Sequence, residues 1–273
     1  AMRGSKVIVV PFSDPGFWTA SAAGSYTTVV TGTSGISSDG PSINSLGQVA
    51  WVGTYGPTGV HVATGGSVVN WVNTTGIFSG FDPVCAINSP SVVSMPVKVA
   101  FLANLDAGGS GIYTVHADLT GFVITPIPTD PSIGKFSAPS INGKSKLVFR
   151  RVIPSGTDAL FTGADLTVDR VIGEGDTLDG LTVDDVRNGK QAINDRGQIA
   201  FRATFTDGSQ AIYKATPCEA DVNGDHSVTI ADLLGVGAGW GMSSGAADVN
   251  PDGVVNIADL LLVVAGWGAC PLT

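Results

Sequence analysis

The 273 residues carry 43% apolar side chains, enough for a sizeable buried core and too many for a disordered chain. No apolar run approaches the ~18 residues of a membrane helix. A net charge of −9 without any Lys/Arg cluster argues against nucleic acid as a partner.

Glycine (37) and proline (15) are abundant and charged residues few (14%), the punctuation of many short strands joined by turns. In chain order, Lys6–Val10, Gln48–Val52, Lys98–Leu102, Lys146–Arg150 and Gln198–Arg202 read as equivalent apolar strands. After a polar turn each is followed by a second: Gly16–Thr19, Gly59–Val62, Gly111–Thr114, Ala159–Thr162 and Ala211–Lys214. Third strands are expected at Tyr26–Val30, Val68–Val72, Phe122–Ile124 and Arg170–Ile172. An Ile–Asn step precedes the later units at Ile43–Asn44, Ile87–Asn88, Ile141–Asn142 and Ile193–Asn194.

Units of this length, each of three or four strands, predict a mainly β fold with a propeller-like body of about five blades over residues 1–215. A two-sheet sandwich or an irregular solenoid is the alternative. The fifth unit stops after its second strand, so ring closure is expected to be incomplete. The segment Gly173–Gly180, with Ala192–Phe201, resembles repeats of uncharacterised propeller-like secreted bacterial proteins of planctomycete type. That resemblance implies fold and secretion and no reaction.

Residues 216–273 form a second, small domain. From Cys218 onward there are seven acidic residues (Glu219, Asp221, Asp225, Asp232, Asp248, Asp252, Asp259) and no Lys or Arg. Cys218 and Cys270 bracket this tail, which fits a disulfide in an oxidising compartment; two free buried thiols are the alternative. Shifted by 27 positions, Asp221–Gly241 falls on Asp248–Gly268 without a gap and with 15 of 21 residues identical, an internal duplication.

Each copy places oxygen side chains at positions 1, 3, 5, 9 and 12 of a twelve-residue loop, the spacing that wraps one Ca²⁺. The first set is Asp221, Asn223, Asp225, Thr229 and Asp232, with Ser227 offering its carbonyl at position 7. The second is Asp248, Asn250, Asp252, Asn256 and Asp259, with the Val254 carbonyl. Neither Cys nor His stands at a ligand position, so zinc is disfavoured, and a flexible oxygen-rich loop suits Ca²⁺ better than Mg²⁺. Two ions are expected. A helix follows each loop, with an apolar stripe and a glycine stop, and Trp240 and Trp267 are expected to plug the core between the halves.

Tandem loop–helix units without preceding helices resemble type I dockerins, and the bracketing cysteines with Ala-Gly-Trp-Gly are similar to Cys-bracketed bacterial dockerins. The resemblance implies docking on a cohesin-bearing protein and an extracellular or cell-surface location. Two positions depart from the pattern. His226 occupies loop position 6, where glycine is usual, and Ile230–Ala231 and Ile257–Ala258 stand where a Ser–Thr pair often sits. That apolar pair predicts a hydrophobic docking face and makes an ordinary cohesin partner less fitting.

No nucleophile elbow, phosphate loop or metal-spaced histidine set is present. The carboxylates Asp165, Asp169, Glu174, Asp176, Asp179, Asp184 and Asp185 crowd one stretch but need not form a hydrolytic pair, and Trp18, Trp51 and Trp71 read as core rather than as a sugar platform. The expectation is a secreted, non-enzymatic protein whose calcium-loaded tail docks on a neighbouring copy or a cohesin-like receptor. A carbohydrate-binding or glycan-degrading protein attached through its tail is the alternative.

Overall fold

A computed structural model describes residues 7–9, 16–20, 26–31, 41–53, 57–90, 96–118, 121–126, 135–137, 139–152, 157–163, 169–216, 218–223, 227–242, 246–250 and 252–270. The fold is mainly β, built of successive antiparallel sheets followed by a small helical module. No helix is long and apolar enough to cross a membrane.

The first sheet is β1 (Val7–Val9), β2 (Gly16–Ala20) and β3 (Tyr26–Thr31). The second is β4 (Ser42–Ile43), β5 (Val49–Gly53), β6 (Gly59–Thr64) and β7 (Ser67–Asn73). The third is β8 (Phe78–Ile87), β9 (Lys98–Leu105), β10 (Ser110–Asp118) and β11 (Gly121–Pro126). In the fourth, β12 (Lys135–Phe136) and β13 (Ser140–Ile141) both pair with β14 (Leu147–Val152), which continues to β15 (Asp158–Phe161) and β16 (Arg170–Gly173). The fifth is β17 (Thr177–Leu178), β18 (Leu181–Ile193), β19 (Ile199–Phe205) and β20 (Gln210–Ala215). The first, second, third and fifth are meanders of sequential neighbours, and none of the described sheets closes on itself.

The anticipated short final unit is corrected here. The strand leading into each later Ile–Asn step pairs with the strand after it, so β18 belongs with β19 and the last sheet has four strands. The repeat begins one strand before the apolar phrase that marks it in the sequence.

Burial follows from the strand pattern. Consecutive sheets pack face to face because a strand apolar on both faces must be covered on both. Ala50, Val60 and Val62 of the second sheet meet Phe78, Val99 and Phe101 of the third. Leu102 and Ile112 then meet Phe136, Phe149 and Phe161 of the fourth, whose Val148, Leu160 and Ile172 meet Val183, Ile199 and Phe201 of the fifth.

One cross-strand pair recurs in four sheets: Trp51 opposite His61, Phe101 opposite Tyr113, Phe149 opposite Phe161 and Phe201 opposite Tyr213. In each the rings are stacked within 24–27°. Trp51 is fully buried, as the core reading of this residue required. Trp71 tilts against Phe122, and the Trp18 side chain lies outside the described residues.

The Ile–Asn steps are turns stapled by asparagine. Asn44 Oδ1 accepts from the amides of Leu46 and Gln48, Asn142 Oδ1 from Lys144 and Lys146, and Asn194 Oδ1 from Arg196 and Gln198. A side chain that accepts two amides frees the backbone to reverse direction, which is why Asn suits the corner. The turns also bond to one another. Ser89 Oγ accepts from Ser45 N, Asn142 Nδ2 donates to Asn194 O, and Asp195 Oδ1 accepts from Gly143 N.

Candidate metal centre

The tail begins with a clasp. Cys218 and Cys270 are disulfide-bonded, with Cα atoms 5.6 Å apart across 52 positions. The carboxylate of Asp221 lies beside both sulfurs, but thiols spent in a disulfide are no metal ligands. Cys85 stands outside the disulfide; it is buried, and burial pushes its thiol up to about 12.

The first loop leads through β21 (Ser227–Val228) into α1 (Ile230–Ala238). The second leads into α2 (Ile257–Ala265), which ends before β22 (Gly268–Ala269). β21 pairs with β22, and in the other half Gly241 N bonds Val255 O and Val255 N bonds Met242 O. Val228 and Val255 correspond under the 27-residue shift, so each half donates its loop exit to the other. The core between them is made of matched pairs: Val228 with Val255, Val236 with Val263, and half-buried Val222 with Val249.

The position-12 aspartates organise both loops. Asp232 is fully buried; its Oδ1 accepts from the amides of Val222 (2.7 Å) and Asn223 (3.1 Å), and its Oδ2 from Thr229 N (2.8 Å). Asp259, equally buried, accepts from Asn250 N (3.0 Å) and Asn256 N (2.8 Å). These same residues close a capping box on each helix, with Thr229 and Asn256 as N-caps accepting from the amides of Ala231 and Ala258. Burial pushes both carboxyls up, yet the amide donors outweigh it and hold them below the usual carboxylate range. Sequence reasoning took Asp232 and Asp259 as ligands alone and missed this capping role, although Thr-x-x-Asp is its signature.

In the second loop the remaining donors converge. Asp248 accepts from the amides of Asp252 and Gly253, Asn250 Oδ1 also accepts from Asp252 N, and Asp252 Oδ1 accepts from Val254 N. Gly253, at position 6, has φ of +89°, a left-handed turn that glycine adopts without a side-chain penalty. In the first loop Asp221, Asn223, Ser227, Thr229 and Asp232 are described, whereas Asp225 and His226 lie outside the described residues. The donor set is hard oxygen throughout, and no Lys or Arg lies between Cys218 and the C-terminus to neutralise it. Such a set fits Ca²⁺ and suits no soft metal.

The expected core role of the tryptophans is overturned. Trp240 and Trp267 are 53% and 54% exposed. They fall beyond the glycine C-caps at Gly239 and Gly266, and valines already fill the space between the halves. The helices expose apolar side chains in equal measure: Ile230 (57%) and Ile257 (56%), Leu234 (66%) and Leu261 (58%). Ala231 is exposed and Ala258 half-buried beside them.

Two acids of the body's cluster, Asp176 and Asp185, are paired to arginine, and Glu174 accepts from the Asp158 amide. Arg170 forks onto Asp176 (2.7 and 3.0 Å), Arg150 bonds Asp158 and Asp185, and Arg187 also reaches Asp185. Asp179 accepts from the Tyr213 hydroxyl. Asp165 lies outside the described residues.

Residues 219–265 match the family described as the Dockerin type I domain, so the C-terminal module is dockerin-type, a calcium-binding module that docks on protein. No curated protein matches the chain.

Proposed function

We propose that this is an extracellular, non-catalytic docking protein, with a five-bladed propeller body over residues 1–215 and a tail over 216–273 that binds two Ca²⁺. The propeller reading rests on the face-to-face succession of meanders and on the hydrogen bonds between neighbouring Asn turns. Asp221, Asn223, Asp225, Thr229 and Asp232 with the Ser227 carbonyl would hold one ion. Asp248, Asn250, Asp252, Asn256 and Asp259 with the Val254 carbonyl would hold the other. Bound calcium supplies the positive charge that lets these carboxylates converge without mutual repulsion. The chain's own part is to pre-wrap the loops: Asp232 and Asp259 tie loop start to helix start through backbone amides.

The observation that carries the reading is the matched exposure of Ile230, Leu234, Ile257 and Leu261. A small acidic module that leaves its largest aliphatics in water, twice over at equivalent positions, has a surface made for a partner. Ala231 and Ala258 keep that face flat. The occupant is a neighbouring copy of this chain or a cohesin-like receptor.

Light scattering of the purified chain in millimolar calcium, and again after EDTA, tests the first form. A calcium-dependent rise in mass, abolished by Ile230→Glu with Ile257→Glu, supports docking between copies. A monomer in both conditions removes that form and leaves the receptor, tested by retention on immobilised cohesin. Failure of both sinks the docking reading.

A further inference from the structure

The four Ile–Asn steps border an open cavity of about 260 Å³, with Ser42, Ser89, Lys190, Gln191 and Asp195 at its polar edge. Aligning the units on their asparagines shows how it is built. The residue before each Asn is isoleucine (Ile43, Ile87, Ile141, Ile193), which makes an apolar wall with fourfold repetition. The residue after it is Ser45, Ser89, Gly143 or Asp195.

One unit breaks the pattern. Four and three places before the asparagine stand Gly40–Pro41, Val84–Cys85 and Ala138–Pro139, small or apolar in each case. The last unit has Lys190–Gln191 instead, and both line the cavity. Among the described residues no carboxylate lies within ion-pair distance of the Lys190 ammonium at the cavity edge. Asp195 has committed Oδ1 to Gly143 N, which leaves Oδ2 to accept. The hydroxyl oxygens of Ser42 and Ser89 accept from Ile87 N and Ser45 N, so their own protons are available to donate.

We propose that this cavity binds a small polyhydroxylated carboxylate of the hexuronic acid type. Its carboxylate pairs with Lys190, its hydroxyls bond Asp195 Oδ2, the Gln191 amide and the serine hydroxyls, and its C–H faces lie on the isoleucines. A neutral sugar would leave the ammonium unmatched, and a bare carboxylate would leave Asp195 and the isoleucine wall unused. The inference concerns the body and does not depend on how the tail docks.

Isothermal titration of the full chain in calcium, at low salt, with sodium glucuronate, glucose and sodium acetate tests it. Glucuronate is expected to bind, more weakly as salt rises, with glucose and acetate at least about tenfold weaker. Lys190→Gln should weaken glucuronate by about twofold to fivefold, the loss of one exposed charge pair. A short oligouronide titrated in parallel separates the two sources of this chemistry, since tighter binding of the oligomer identifies a polysaccharide chain end and equal binding a free acid. No heat with either uronate, equal affinity for glucose or acetate, or an unaltered Lys190→Gln protein by circular dichroism and melting that binds as before would each overturn the proposal.

Discussion

Trp51 stacks on His61 with ring centroids 5.4 Å apart, and the imidazole Nε2 donates to the Gly53 carbonyl at 3.1 Å. Equivalent positions in the third, fourth and fifth sheets carry Tyr113, Phe161 and Tyr213, so a histidine here serves as a core aromatic. Burial lowers its pKa from the usual 6.5, against the hydrogen bonds to the Gly53 and Pro57 carbonyls, which raise it. The folded state therefore binds fewer protons than the unfolded one on acidification. Stability contributed by neutral His61 is complete above about pH 6.5 and is lost as pH falls below it. His61→Phe, copying Phe161, should abolish this part of the acid dependence. Thermal melts of both proteins from pH 7.5 to 5 would show the gap narrowing or reversing in favour of the variant; parallel curves would refute the argument.

Ser145 has φ of +66° at the corner where the equivalent turns use Gly47 (+79°) and Gly197 (+76°). A left-handed non-glycine residue costs about 1–2 kcal/mol. Ser145→Gly relieves that and loses one long hydrogen bond from Asn88 Nδ2, 3.4 Å. The variant should be more stable by about 0.5–1 kcal/mol, read as a higher denaturant midpoint.

Asp259→Asn would turn an amide NH₂ towards backbone donors that need an acceptor. Losing one carboxylate acceptor inside a buried cluster costs about 1–3 kcal/mol. The tail should melt earlier both with calcium and without it, and calcium should bind less tightly. If only the calcium-loaded form suffered, the aspartate would be a ligand and no more, and the loop-clamping role would be wrong.

Reducing the Cys218–Cys270 bond, or replacing both cysteines by serine, opens a covalent loop spanning 52 positions. The loop-entropy argument gives a loss of about 4 kcal/mol. The calcium concentration needed to restore the helical circular dichroism signal should rise accordingly, because ion binding then has to order a freer chain.

Much of the body was legible because its strands repeat a short apolar phrase: β5, β9 and β19 carry Val-Ala-Trp, Val-Ala-Phe and Ile-Ala-Phe and β14 Leu-Val-Phe, and a partner strand follows each after a polar turn. The long strands β8 and β18 were not. Register shifts interrupt both, between Phe81 and Cys85 in one and between Asn188 and Ile193 in the other, so neither shows the alternation that marks a strand. Pro83 and Gly189 fall inside those irregular stretches. In the tail, the ligand spacing and the helices were readable from the duplication. The fate of Trp240 and Trp267 was not, since it depended on whether six valines already filled the space between two nine-residue helices.

The clasp at the mouth of the tail also bears on wear. Any single protease nick between Cys218 and Cys270 would leave both fragments tethered through sulfur, each still opposite its duplicate. The nicked protein would run at full mass on a non-reducing gel and split only once thiol is added. Partner and body would stay physically connected through damage that would sever an unclasped linker.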